Sequence, residues 1–70
     1  MTFEKGKFYT HKNMLDMIIY VQHVVSSEDD PLKLRIAWFN NRGMNINQEE
    51  TVNIYHKELP NWYEWKGFKV

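Results

Sequence analysis

Apolar and polar residues alternate most clearly in "LKLRIAWFN", residues 32 to 40. Leu32, Leu34, Ile36 and Trp38 fall on one face, with Lys33, Arg35 and Ala37 on the other. A period of two with β-branched and aromatic members predicts a half-buried strand, because charged residues would interrupt any helical stripe. "NNRG", residues 40 to 43, follows with residues that tolerate positive φ, so the chain is expected to reverse there. "ETVNIYH" then alternates again, with Val52 and Ile54 inward and Thr51, Asn53 and Tyr55 outward.

The run "NMLDMIIYVQHVV", residues 13 to 25, obeys two patterns at once. Asn13 suits a helix cap, Asp16 its first turn, and Met14, Met17, Ile18, Val21 and Val25 a helical stripe. Ile18, Ile19, Tyr20, Val21, Val24 and Val25 are instead stiff or bulky residues that favour a pleated surface. A strand is the preferred reading, and a helix packed on an antiparallel sheet the alternative. Such a strand, apolar on both faces, is expected to curve and serve two sheets, as at the corner of a small barrel.

"KGKFYTH" supplies a short first strand and the tail from Trp62 onward a last one. Pro60 and Asn61 break the chain between them and Tyr55, leaving room for one tight helical turn. Ser26-Ser27, Glu28-Asp29-Asp30 and Pro31 read as a solvated turn. That turn lacks the ligand spacing and the glycine of a calcium loop.

Five strands with short connections, a charged turn before the third and an "LPNW" break before the last resemble an SH3-like small barrel over residues 5 to 69. The acidic-aromatic motif of the SH3 peptide binders is not visible after the first strand. The interval from Phe8 to Leu15 is also shorter than their specificity loop. The resemblance is therefore to the Tudor, KOW and Sm-like variants, at the level of architecture. It implies an all-β, five-stranded fold that binds proteins, methylated side chains or nucleic acids, or that only builds assemblies.

Seventy residues make one domain, residues 1 to 70, near the lower size limit for a chain that folds without staples. Cysteine is absent, so neither disulfides nor thiolate metal sites stabilise it. Three Trp, four Tyr and four Phe take that role, since each ring removes much apolar surface from water. Nine basic and nine acidic residues cancel, which argues against a duplex nucleic-acid footprint. No segment approaches the apolar length of a membrane span, and the start lacks a secretion-signal core. The expectation is a small, soluble, cytoplasmic domain.

His11, His23 and His56 lie too far apart for a local metal-ligand pair, so no metal is expected. His23 and His56 are placed at strand ends, bonded to backbone or water. No nucleophile motif or phosphate-cradling glycine run exists, and so small a barrel has little room for a substrate pocket of about 300 Å³ or more. The chain is read as no enzyme, with no cofactor.

The tail "ELPNWYEWKGFKV" carries the distinctive chemistry. As a strand it places Trp62, Glu64, Lys66 and Phe68 on one side and Tyr63, Trp65 and Lys69 on the other, with a bend near Gly67. Some rings are expected to close the barrel and at least one to stay exposed. Tyr55 is expected near Tyr63 or Trp65 on an adjacent strand, with Lys33 and Arg35 on the outer face. These residues predict a non-enzymatic module that binds a protein partner through aromatic anchors. The second reading is a single-stranded nucleic-acid binder, stacking bases on Tyr55, Tyr63 and Trp65 while Lys33 and Arg35 meet phosphates. A variant uses Glu64 to complete an aromatic cage for a methylated cation. A third class is self-association through an exposed edge strand.

Overall fold

The computed structural model describes residues 2–14 and 16–67. Five strands run β1 (Phe8–His11), β2 (Ile18–Ser26), β3 (Leu32–Phe39), β4 (Asn45–Ile54) and β5 (Trp62–Glu64), with a 3-10 turn at His56–Asn61 before the last. All neighbours pair antiparallel in the order β4-β3-β2-β1-β5. The all-β fold, its five strands and its single helical turn are those read from the sequence. The sheet is not closed, and β4 and β5 form its two edges. Leu15, Phe68 and Lys69, which entered the loop-length and tail-alternation readings, lie outside the described residues.

β3 follows its alternation: Leu32, Leu34 and Ile36 are buried and Lys33 and Arg35 exposed. The reversal at residues 40 to 43 is held by the Asn40 carboxamide, whose Oδ1 accepts the Arg42 and Met44 N–H groups at 2.9 Å each. Gly43 closes the turn at φ 87°, where a Cβ would be strained. β4 starts earlier than its apolar alternation does, because the polar stretch from Asn45 still pairs with Phe39 and Trp38. It also ends earlier, at Ile54. Tyr55 and His56 therefore belong to the 3-10 turn and its cap rather than to the strand.

Among the described residues from 13 to 25 no helix forms, and β2 begins at Ile18 rather than at residue 13. The preceding residues make tight turns, with Met14 N–H donating to the His11 carbonyl and Met17 N–H to that of Met14. The Thr10 hydroxyl lies 3.2 and 3.1 Å from the Met14 and Met17 carbonyl oxygens and fastens this loop to β1. Strand wins downstream because both edges of β2 find partners. Its first half lies between β1 and β3, where a helix would leave two ladders unmade. Register shifts between Val21 and His23 and between Val24 and Ser26 bend β2, but it stays within one open five-stranded sheet and does not serve a second sheet as expected of a barrel corner. His23 stands within β2 opposite Arg35, not at a strand end as expected, because the strand continues to Ser26.

The main core lies on one face of this bent sheet. Ile19, Val21, Leu32, Leu34, Ile36 and Ile54 form its aliphatic centre, with Phe3 and Tyr9 beside them. Trp38, Val52, Leu59 and Trp62 pack around its rim. The Phe3 ring meets the edges of Tyr9 and Trp62, at centroid separations of 4.7 and 5.7 Å. The buried Tyr9 hydroxyl accepts the Glu4 N–H at 2.8 Å and faces the Thr2 carbonyl at 3.3 Å, tying the N-terminal segment over the core.

Candidate binding face

The opposite face of the sheet holds a second, smaller cluster. Residues directly opposite on neighbouring strands project to the same side. Phe8 on β1, Tyr20 on β2 and Ala37 on β3 form one such row, and Thr10, Ile18 and Phe39 the next. Tyr63 on β5 extends the second row opposite Thr10. The Phe8 centroid lies 4.9 Å from that of Tyr20 and 5.5 Å from that of Phe39, and the Tyr20 and Phe39 centroids are 6.5 Å apart. Ile18 is fully sealed and Ala37 nearly so, yet neither belongs to the main core. The three rings above them are partly buried.

Beside the rings, Tyr20, Gln22, Ala37, Phe39, Asn45 and Gln48 line an open depression of about 260 Å³. Its carboxamides brace the sheet: Gln22 Nε2 donates to the Gln48 carbonyl and Asn45 Nδ2 to that of Trp38, both at 3.0 Å.

The residues singled out from the sequence divide between places. Tyr63, 42% exposed, and Trp65 flank the ring cluster, where the Trp65 backbone N–H donates to the Phe8 carbonyl at 2.8 Å. The chain then folds over the indole: a Cβ at Gly67 would stand 2.6 Å from its Cζ2, so only glycine fits without displacing the ring. Lys33 and Arg35 share this face by the unbroken alternation of β3, but sit at its far end. Arg35 is drawn to Glu49 at 3.6 Å.

Tyr55 is half-exposed but is not beside Tyr63 on a neighbouring strand, because β4 and β5 are opposite edges of the sheet. Glu64 lies opposite the core residue Tyr9, on the other face from Tyr63, and approaches Lys7 at 3.9 Å. It does not complete a cage with those rings.

Sequence reasoning missed Phe8, Tyr20 and Phe39. Carrying the Lys33-Arg35-Ala37 alternation one step further reaches Phe39, but pairing it with Tyr20 and Phe8 requires the register.

The imidazoles have structural partners. His11 Nδ1 accepts the Asn13 N–H at 3.1 Å, so the ring donates through Nε2 to Glu58 Oε1 at 3.0 Å. This bond and one from Asn61 hold the Glu58 carboxyl below the usual carboxylate range, and join β1 to the 3-10 turn. His56 Nε2 meets the Asp29 carbonyl at 2.8 Å, the backbone bond expected of it. Among the described residues no group of three or more His, Asp or Glu is placed to hold a metal ion, and no helix is long and apolar enough to cross a membrane. No protein-family model, curated protein or solved structure matches the chain.

Proposed function

We propose that the chain is a non-enzymatic interaction module with an SH3-like arrangement of strands, and that it holds a protein partner on the ring-bearing face. The strand order, with a 3-10 turn leading into a fifth strand that returns beside the first, supports the SH3-like arrangement. One observation carries the binding role: Phe8, Tyr20 and Phe39 make a preassembled ring cluster on an open face, with Tyr63 exposed at its margin. Rings already ordered by each other lose little freedom on binding, and aromatic side chains dominate interface hot spots.

Charge favours protein over nucleic acid. Counterion release needs several unopposed cations, whereas the chain is neutral and Arg35 faces Glu49. The nucleic-acid reading keeps one specific support, the placement of Lys33 and Arg35 on the same face as the rings.

The test compares the wild type with Tyr20→Ser/Tyr63→Ser in crosslinking and mass measurement of a stoichiometric complex. Loss of the complex with the melting temperature nearly held supports the reading. Retention of the complex overturns it. Tryptophan quenching by a mixed-sequence oligonucleotide at low and moderate salt transfers the face to the second reading. A doubled mass in light scattering, abolished by the same variant, transfers it to self-association.

A further inference from the structure

A second recognition feature lies on the core side of the sheet, away from the rings. Phe3, Val24, Leu32, Leu34 and Leu59 line a half-open cavity of about 140 Å³, with Thr2, Ser27 and His56 completing its wall. An apolar cavity of about 150 Å³ is large enough to take benzene, so this one matches a single leucine-sized side chain.

The Glu28-Asp29-Asp30 turn is anchored at this opening through its bonds to His56. Asp30 Oδ1 accepts the His56 backbone N–H at 3.0 Å, while the Asp29 carbonyl lies 2.8 Å from His56 Nε2. The Ser26 hydroxyl donates to Asp29 Oδ2 at 2.6 Å and fixes the turn from its other side. Among the described residues none of these three carboxylates has a Lys or Arg partner, unlike Glu4, Glu49 and Glu64. The result is an apolar slot beside three uncompensated negative charges.

We infer that this cavity takes one aliphatic side chain of a partner segment whose flanking residues are Lys or Arg. The slot supplies apolar burial, and the turn at its Ser27 and His56 wall supplies attraction to a cation beside the anchor. A bare apolar ligand would leave the acidic turn unanswered, and a polybasic segment without an anchor would leave the slot empty. A second copy of the chain is disfavoured as occupant because its own Lys-Leu-Arg stretch, Lys33 to Arg35, keeps Leu34 fully buried in the core.

The experiment titrates ¹⁵N-labelled protein with the capped pentapeptide Gly-Lys-Leu-Arg-Gly at low ionic strength, reading amide shifts. Expected are shifts at Ser27, Leu34, His56 and Leu59, with Phe8 and Tyr20 unmoved. Replacing the peptide's Leu by Ala weakens binding about tenfold, from the lost methylenes. Glu28→Lys, at an exposed position, weakens it several-fold and flattens its salt dependence. Absence of shifts at the cavity, equal binding of the Leu and Ala peptides, or shifts confined to the ring face overturns the inference. The ring-face proposal is tested separately, by the Tyr20 and Tyr63 variant.

Discussion

The two faces of this sheet use apolar groups in opposite ways. On the core face, aliphatic side chains from β2, β3 and β4 make a buried centre together with Phe3 and Tyr9, whose hydroxyl is bonded, while Trp38 and Trp62 pack at the rim. On the other face, small and aliphatic residues, Ala37 and Ile18, lie sealed beneath rings that are only partly buried, with Tyr63 exposed beside them. A sealed ring contributes its burial to stability. One left half-exposed keeps part of that free energy in reserve, and a partner can recover it. One face holds the chain folded, and the other carries the rings proposed to meet a partner.

The sharpest way to break the comparison is to damage the core face. Ile36→Ala removes a fully buried side chain and should cost about 2–5 kcal/mol by chemical denaturation, close to the whole net stability of a domain this small. A loss below about 1 kcal/mol would mean the central contacts are not where the stability lies. Tyr9→Phe should cost about 1 kcal/mol, by removing the hydroxyl that joins the Glu4 and Thr2 backbone.

Burial pushes the Tyr9 phenol up, above the ordinary range near 10. A raised native pKa means that stability is complete below the unfolded value and declines as pH rises through the window between the two. The wild type should therefore lose stability at alkaline pH more steeply than Tyr9→Phe, which thermal melts across that range would reveal.

Glu58 gives the opposite sign. Its carboxyl is held low by His11, then by Asn61, so its contribution is present above the ordinary carboxylate range and lost as pH falls through the lowered native value. Glu58→Gln should flatten the acid limb of the melting curve. An unchanged limb would remove the link between β1 and the 3-10 turn from the stability account. The smallest effect belongs to the ring face: Tyr63→Ala should alter stability by no more than about 0.5 kcal/mol while reducing partner binding. A large drop in melting temperature would reassign that ring to the structural set.

Much of the fold is legible along the chain because strand periodicity and turn chemistry are local. The inward set Leu32, Leu34 and Ile36, the reversal at "NNRG" and the helical turn around Pro60 each follow from adjacent residues. The stretch from residue 13 to 25 is harder, because its helical and strand patterns are both internally consistent. Backbone hydrogen bonding to β1 and β3 decides it. Of the residues at the candidate face, Tyr63 and Trp65 were visible as one side of an alternating tail. Their company was not: the tail joins β1, so their neighbour is Phe8 rather than Tyr55.

Residue order by itself determined a small all-β chain without disulfides. Which rings became core and which became surface was decided only when β5 crossed to the β1 edge and β2 bent between two partners. The physical reason is that alternation assigns a side chain to a face, while strand pairing across distant sequence sets what each face meets.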